Sequence, residues 1–142
     1  MADQRDRQTA DRLHSAAIHL LRRLRAEDDV TGLSAPRLSA LSVIVFAGPI
    51  GLGKLAAAEK VRPPTMSRLV KELEADGLVI RETDTADRRR RWIRATNRGR
   101  RLLHEGRQRR VARLAAQLAR LPERERRLLA RAASVLERLL LG

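Results

Sequence analysis

The chain has 142 residues, which is enough for one compact domain with a buried core and too few for two large independent domains. Its 31 lysine and arginine residues against 17 acidic ones give a formal net charge of +14, so polyanions are the expected partners. Because 43% of the residues are hydrophobic and recur at helical spacing, the composition excludes a disordered basic tail. The absence of cysteine excludes disulfides, zinc fingers and a thiol switch within this chain.

Hydropathy predicts a soluble protein without a membrane partner. No run approaches the roughly 18 uninterrupted apolar residues of a membrane span, and residues 1–12 are polar rather than signal-like. We therefore expect a cytoplasmic location and, given the charge, association with the nucleoid.

Two helices are predicted before residue 48. Apolar residues recur every three or four positions from Ala10 to Leu24, which predicts an amphipathic helix with its arginines outside. Ser34 offers an N-cap for the next helix, and Pro36 fits its first turn. That second, more buried helix continues with Leu38, Leu41, Val45 and Phe46.

A helix-turn-helix is predicted between residues 54 and 77. Its first helix is short, ends before two consecutive prolines, and is marked by Leu55, Ala58 and Val61. Its second helix carries an apolar stripe formed by Met66, Leu69, Val70 and Leu73. Two helices joined this tightly are typical of a helix-turn-helix.

The opposite face of the second helix is the candidate DNA-reading surface. At about 100° per residue, the stripe leaves on that face or at its flank Pro64, Thr65, Ser67, Arg68 and Lys71. We expect Ser67 and Arg68 to contact base edges, because a recognition helix meets them near its N-terminal end. Thr65 and Lys71 are expected on phosphates, with Arg62 beside them. Solvated surface charges are the alternative interpretation.

Two short extended runs, 78–81 and 92–95, are separated by a polar, charged tip and predict a β-hairpin, or wing. The basic run at its end is Arg88, Arg89, Arg90 and Arg91. Strand alternation would send Arg89 and Arg91 to one face, so only part of the run can enter a groove. We expect Arg89 in the minor groove and its neighbours on phosphates, although basic runs also serve solubility or bind RNA.

Two further wing residues have predicted roles. Asp87 can accept a hydrogen bond from Arg89 and fix its direction, the alternative being a simple turn-forming aspartate. Trp92 is predicted to pack the wing against the reading head rather than to stack on a base.

The C-terminal third is predicted to form two helices, the first capped by Thr96 and the second beginning after Pro122. Together with the N-terminal helix they carry more leucine than a small head could cover, which predicts dimerisation through both chain ends. The predicted fold is mainly α with a small β wing, a winged helix-turn-helix head on a helical dimerisation platform. Its parts are residues 1–32, 33–96 and 97–142, forming one intertwined domain.

The run from residue 51 to residue 99 closely resembles the winged-helix core of the MarR family of bacterial transcription regulators. The family's Thr-x-Thr/Ser-Arg pattern is matched by Thr65, Ser67 and Arg68. Its Leu-x-x-x-Gly-Leu-Val pattern is matched by Leu73 with Gly77, Leu78 and Val79, and its Asp-x-Arg pattern by Asp87 with Arg89. Thr96, Gly99 and Leu121-Pro122-Glu123 also fit. Departures are Thr85 and Ala86, where many members have Pro-Arg, and Ala95 in place of a common leucine.

This resemblance implies a homodimeric, non-enzymatic transcription regulator, in particular a repressor on a pseudo-palindromic operator that a small-molecule effector releases. His14 and His19 are candidate lining residues of an effector cavity between the dimer platform and the reading head, with stray surface histidines as the alternative. The competing function is a sequence-indifferent nucleoid or architectural DNA-binding protein, for which the charge alone would suffice.

Catalytic and metal chemistry find little support in the sequence. Residues 48–54 spell Gly-x-x-x-x-Gly-Lys, which imitates a phosphate-binding loop, but Leu55 stands where a serine or threonine should hold magnesium. The three histidines do not have ligand spacing with acidic partners, so we expect neither a metal site nor a cofactor.

Overall fold

The computed structural model describes all 142 residues and is mostly helical, with one small antiparallel sheet, as the sequence predicts. In chain order the elements are α1 (Gln4–Arg25), a 3-10 helix (Ala26–Thr31), α2 (Ala35–Ala47), α3 (Leu52–Ala58), α4 (Pro63–Ala75), β1 (Val79–Thr83), β2 (Arg91–Ala95), α5 (Asn97–Leu118) and α6 (Glu123–Leu141). Every predicted helix and both strands are present.

The chain divides into two compact units, one formed by Arg25–Arg107 and the other by the two chain ends, Met1–Leu24 and Gln108–Gly142. The hydrophobic core lies within Arg25–Arg107, where α2, α3, α4 and both strands supply its buried side chains. The predicted helix-turn-helix and wing are therefore built on the unit that has its own core.

Helix α2 begins as predicted but buries a different face near its end. The Ser34 hydroxyl oxygen accepts a hydrogen bond from the backbone N–H of Arg37 at 3.4 Å, and Pro36 lies in the first turn. The buried side consists of Ala40, Leu41 and Ile44. The prediction that Phe46 is buried is wrong, because it is 78% exposed. It lies about 200° around the helix from Ile44, away from the core.

Helix α3 is shorter than its sequence pattern suggests. It ends at Ala58, which is exposed, so its buried side is Leu55 and Ala56, and Val61 lies beyond the helix. The chain turns at Lys60, whose φ of 54° is left-handed. The N–H of Val61 donates to the carbonyl oxygen of Ala56 at 3.0 Å, which closes the helix end in the manner of a Schellman cap.

Helix α4 buries the predicted stripe in full: Met66, Leu69, Val70 and Leu73. It ends in a second Schellman cap, with Gly77 at φ 73°. The N–H of Gly77 donates to the carbonyl oxygen of Glu74, and the N–H of Leu78 to that of Leu73, both at 3.0 Å. This cap turns the chain directly from α4 into β1.

Strands β1 and β2 pair antiparallel, with Val79 opposite Ala95 at the base of the wing. An additional bridge joins Ile50 to Ile93 through two backbone hydrogen bonds of 3.0 and 2.9 Å. The segment 48–54, which imitates a phosphate-binding loop in sequence, is thus pinned to the edge of the wing sheet. It connects α2 to α3 and forms part of the reading head.

Thr96 joins three elements at one point. Its hydroxyl donates to the carbonyl oxygen of Gly77 at 2.7 Å and accepts the N–H of Gly99 at 3.1 Å. Its backbone N–H donates to the carbonyl oxygen of Leu78 at 3.0 Å. Thr96 therefore caps α5, as predicted, and also ties the start of α5 to the end of α4 and the beginning of β1.

The unit formed by the chain ends has no buried residue of its own. Neither α1 nor α6 buries a single residue, and the two buried residues of α5, Gly99 and Gly106, belong to the other unit. Large apolar side chains stand exposed on α1, on α5 and above all on α6. No single helix is long and apolar enough to cross a membrane; only two consecutive helices counted together across a bend reach that length and composition.

Gly99 provides a test of the junction between α5 and the wing. A Cβ at this position would meet the carbonyl group of Leu78 and the side chain of Leu41, so Gly99→Ala should lower the free energy of unfolding by about 1–3 kcal/mol. Gly53→Ala is the matched control, because a Cβ there meets nothing within 4 Å. Urea unfolding of both variants measures the difference, and equal stabilities would contradict the tight junction.

Candidate nucleic-acid interface

The start of α4 leaves an open end on the protein surface. Pro63 and Pro64 occupy its first two positions, where their missing N–H groups cost nothing because those groups have no partner inside a helix. Arg62 at the N-cap makes no side-chain capping bond. Thr65 is exposed beside these prolines, so its hydroxyl and N–H remain available to an anion.

The face of α4 opposite the core carries the predicted reading residues. Pro64, Thr65, Arg68 and Lys71 are exposed, and Ser67 is half-buried. The structure thus brings these side chains to one surface of one helix, next to the exposed Arg62. Hydroxyl and basic groups on a helix face are the groups that contact phosphates and base edges in DNA.

Arg68 belongs to an ion-pair network that the sequence analysis missed. Its guanidinium lies 3.5 Å from the carboxylate of Glu72, one turn along α4. Arg37 of α2 pairs with the same carboxylate at 3.7 Å and with Asp76 at 3.2 Å. Exposed pairs of this kind contribute little stability. The spacing of four residues within α4 indicates the pair of Arg68 with Glu72, whereas no local sequence pattern indicates that Arg37 pairs with Glu72.

The tip of the wing is a closed turn rather than a continuation of the strands. The N–H of Asp84 donates to the carbonyl oxygen of Arg90 at 2.8 Å, so residues 84–90 form a loop. Strand alternation therefore does not apply to Arg88, Arg89 and Arg90, and that part of the prediction is wrong. Only Arg91 lies in β2. All four arginines are exposed, and the Arg89 side chain is 97% exposed.

Asp87 orders the backbone of the tip more than it orders the Arg89 side chain. Its carboxylate accepts the backbone N–H of Arg89 at 3.0 Å, while the guanidinium Nε lies 3.8 Å from the same oxygen. The carbonyl oxygen of Asp87 also accepts the N–H of Arg90 at 2.9 Å. The predicted contact thus exists as an ion pair, and the hydrogen bond itself goes to the main chain.

Asp84 makes three hydrogen bonds in the wing that were not predicted from the sequence. One carboxylate oxygen accepts the N–H groups of Ala86 at 2.8 Å and Asp87 at 3.4 Å, and the other accepts the indole N–H of Trp92 at 3.0 Å. Trp92 is half-buried, and its polar end faces the tip. The Asp-x-Ala spacing signals a turn, but the bond across the hairpin has no local signal.

These hydrogen bonds lower the pKa of Asp84. The indole N–H of Trp92 is the largest cause and the N–H of Ala86 the next, because each bond stabilises the ionised carboxylate. Burial raises the pKa and only partly opposes them, and Arg90 adds a further favourable charge. Asp84 is therefore ionised, and keeps its partners, over the whole neutral range.

The wing is tied to the reading helix as well as to itself. The Arg81 guanidinium of β1 lies 3.8 Å from the carboxylate of Glu74 on α4. Across the hairpin, Arg94 donates to Glu82 at 2.6 Å. Strand β1 is thus linked both to α4 and to β2 by ion pairs.

The candidate effector residues lie outside this surface. His14 and His19 are both exposed on α1. His19 lines a groove of about 560 Å³ between α1 and the second half of α5, together with Ala16, Leu20, Arg22, Arg23 and Gln117, and His14 does not. No three His, Cys, Asp or Glu side chains come together in a geometry that could hold a metal ion.

A helix-turn-helix whose second helix exposes basic and hydroxyl groups, followed by an arginine-tipped hairpin, defines a winged helix-turn-helix DNA-binding protein. The MarR family model matches residues 33–90. An HTH-type transcriptional regulator of Mycobacterium tuberculosis is 34% identical over 131 residues, which covers 92% of each chain. The chain belongs to the MarR family; it is a DNA-binding transcriptional regulator and not an enzyme.

Solved structures agree in fold. A MarR family protein from Bacillus stearothermophilus superposes with a TM-score of 0.78 at 23% identity, over 100% of this chain and 99% of that one. A mutant of Staphylococcus aureus MepR bound to an oligodeoxyribonucleotide superposes with a TM-score of 0.73 at 19% identity, over 92% of this chain and 97% of that one.

Acid titration tests the carboxylate of Asp84. Because its pKa is lowered in the folded protein, its contribution to stability is complete above the pKa of an unfolded aspartate and is lost as pH falls through the lower folded value. Trp92 is the only tryptophan and the chain has no tyrosine, so its emission reports this site. We expect an emission change with a midpoint below the usual aspartate range, and no such change in Asp84→Asn.

Proposed function

We propose that the protein is a homodimeric repressor that binds a pseudo-palindromic operator and is released from it by a small molecule. The observation that carries the proposal is the exposed, basic face of α4 beside a wing whose tip consists of arginines. The helix face suits the major groove, and the tip suits the adjacent minor groove. Such a protein would reside in the cytoplasm on chromosomal DNA.

We assign base reading to the middle of the α4 face. Ser67 and Arg68 would contact base edges, and Arg68 would exchange Glu72 for a guanine as DNA approaches. Thr65 and Lys71 would hold phosphates, with Arg62 and Pro64 lying against the backbone at the helix start. Arg89 would enter the minor groove while Arg88, Arg90 and Arg91 contact phosphates on either side.

A second copy of the chain is the proposed cover for the terminal helices. α6 exposes one apolar face along its whole length, including Leu128, Leu129, Val135, Leu136, Leu139 and Leu140. A soluble chain that buries nothing in α1 and α6 needs a partner of matching chemistry, and two-fold symmetry supplies the same face twice. The dimer would place two α4 helices about 34 Å apart, one turn of DNA.

We place the effector in the groove that His19 lines. Its volume of about 560 Å³ lies within the usual range for small-molecule sites, and Arg22 and Arg23 give it a positive rim. An anionic or amphipathic ligand would suit this chemistry. His14 lies outside the groove and keeps no assigned role.

The second candidate function is a sequence-indifferent architectural protein. Arginines are not confined to the reading head but continue through α1, α5 and α6, which favours general attraction to DNA. The two functions differ in specificity, so a comparison of operator with random DNA separates them.

Selection of genomic fragments by the purified protein at fixed salt, followed by footprinting, comes first. We expect a protected pseudo-palindrome bound at least about a thousandfold better than scrambled DNA.

Arg68→Ala should then cost about 1–3 kcal/mol of binding free energy and relax the base preference at one position, because a base contact is lost. Arg88→Ala should weaken all sequences alike, because a phosphate contact is lost.

Two results would reject these assignments. Equal wild-type affinity for operator and scrambled DNA would favour the architectural protein. Equal losses for both variants on both DNAs would leave Arg68 without a reading role.

Leu139→Lys tests the dimer face, since this side chain is 71% exposed in the single chain. We expect a loss of at least about 3 kcal/mol in dimerisation free energy, because two copies of the leucine lose burial worth about 1.5–3 kcal/mol each. Ala130→Lys is the control: it adds the same charge nine residues away, on the opposite side of α6. Sedimentation equilibrium measures both.

A monomeric Leu139→Lys with unchanged Trp92 emission would support the proposed interface. If Leu139→Lys forms a dimer as tight as that of Ala130→Lys, the interface lies elsewhere.

A further inference from the structure

The tip of the wing has no backbone feature that would fix its shape. Residues 84–91 contain neither glycine nor proline, and four consecutive arginines from Arg88 to Arg91 repel one another. Nevertheless the tip is a closed loop, in which the N–H of Asp84 donates to the carbonyl oxygen of Arg90. Side chains must therefore supply the order that the backbone lacks.

Asp84 supplies most of that order, because its two carboxylate oxygens have separate tasks. Oδ1 accepts the N–H groups of Ala86 and Asp87 at 2.8 and 3.4 Å and so shapes the turn that leads to the arginines. Oδ2 accepts the indole N–H of Trp92 at 3.0 Å and so fixes the turn to the returning strand. This turn holds Asp87, whose carboxylate accepts the N–H of Arg89 at 3.0 Å.

We propose that the hydrogen bond from Trp92 Nε1 to Asp84 Oδ2, here called the wing latch, positions Arg89 for insertion into DNA. Asp84 and Trp92 are positioning residues: neither touches DNA, and both act through the turn that carries Asp87 and Arg89. The inference rests on the proposed wing contact of Arg89. It adds that the affinity supplied by Arg89 depends on a hydrogen bond between Asp84 and Trp92, which lie eight positions apart on opposite sides of the hairpin.

The physical reason is pre-organisation. A flexible tip would lose conformational freedom on entering the groove, whereas a latched tip has already lost it. A hydrogen bond to a charged group is also one of the stronger kinds, so its removal should be measurable.

Two substitutions break the latch from opposite ends. Trp92→Phe keeps an aromatic side chain and removes the N–H donor. Asp84→Asn keeps an oxygen that accepts the N–H of Ala86. Its amide N–H₂ then faces the indole N–H, and two donors cannot form a hydrogen bond. Each should weaken operator binding about tenfold, in keeping with the loss of one charge-assisted hydrogen bond, and the double variant should be no weaker than either single one.

Glu82→Gln is the matched control for Asp84→Asn. It removes the same negative charge from the same hairpin and weakens the Arg94 pair. Glu82 lies opposite Trp92 in the hairpin but makes none of the hydrogen bonds that order the tip. We expect less than a twofold change in operator affinity. The comparison matters because removing a negative charge by itself favours DNA binding.

The decisive measurement repeats Trp92→Phe in the Arg89→Ala background, with thermal unfolding of each variant as a check on folding. If the latch acts through Arg89, the tenfold loss disappears there, leaving a change below about twofold. Two results would overturn the latch but leave the wing contact of Arg89 in place. One is a full tenfold loss of operator affinity for Trp92→Phe in the Arg89→Ala background. The other is wild-type affinity of both latch variants while Arg89→Ala itself binds more weakly. Wild-type affinity of Arg89→Ala itself would reject the proposed wing contact and the latch with it.

Discussion

The junction around Thr96 is the constraint on which the geometry of the reading head depends. Its hydroxyl links the carbonyl oxygen of Gly77 to the N–H of Gly99, and its backbone N–H holds Leu78. The end of α4, the base of the wing and the start of α5 are therefore fixed to one another through a single side chain and two glycines. Together with the core packing of the strands, this junction sets the direction of the wing relative to α4.

From this junction the two DNA-facing parts are supported differently. α4 presents its polar face because four buried side chains fix its rotation about its axis, so the positions of Arg68 and Lys71 follow from core packing. The wing tip contains no buried residue and depends on polar bonds made by Asp84 and Asp87. Packing thus sets the exposed face of α4, whereas hydrogen bonds and charge set the arginine tip.

The two compact units differ in burial, and this difference is the basis for the proposed dimer. Residues Arg25–Arg107 bury a continuous cluster, whereas the chain ends bury nothing although they carry many leucines. Apolar area left in water is unfavourable, so the same leucines that do not stabilise the single chain would stabilise an assembly.

The sequence by itself determined the helix order, the α4 stripe, the wing strands, and the caps at Ser34 and Thr96, because each follows from local periodicity or from a residue's own hydrogen-bonding groups. Local rules failed at Phe46, where a helical run continued past the buried face, and at Arg88–Arg90, where a closed turn replaced strand alternation. Only the tertiary structure decided that Arg37 restrains Glu72 beneath Arg68 and that Asp84 bonds to Trp92. Each of these contacts joins side chains from different elements, and sequence spacing carries no information about which elements meet.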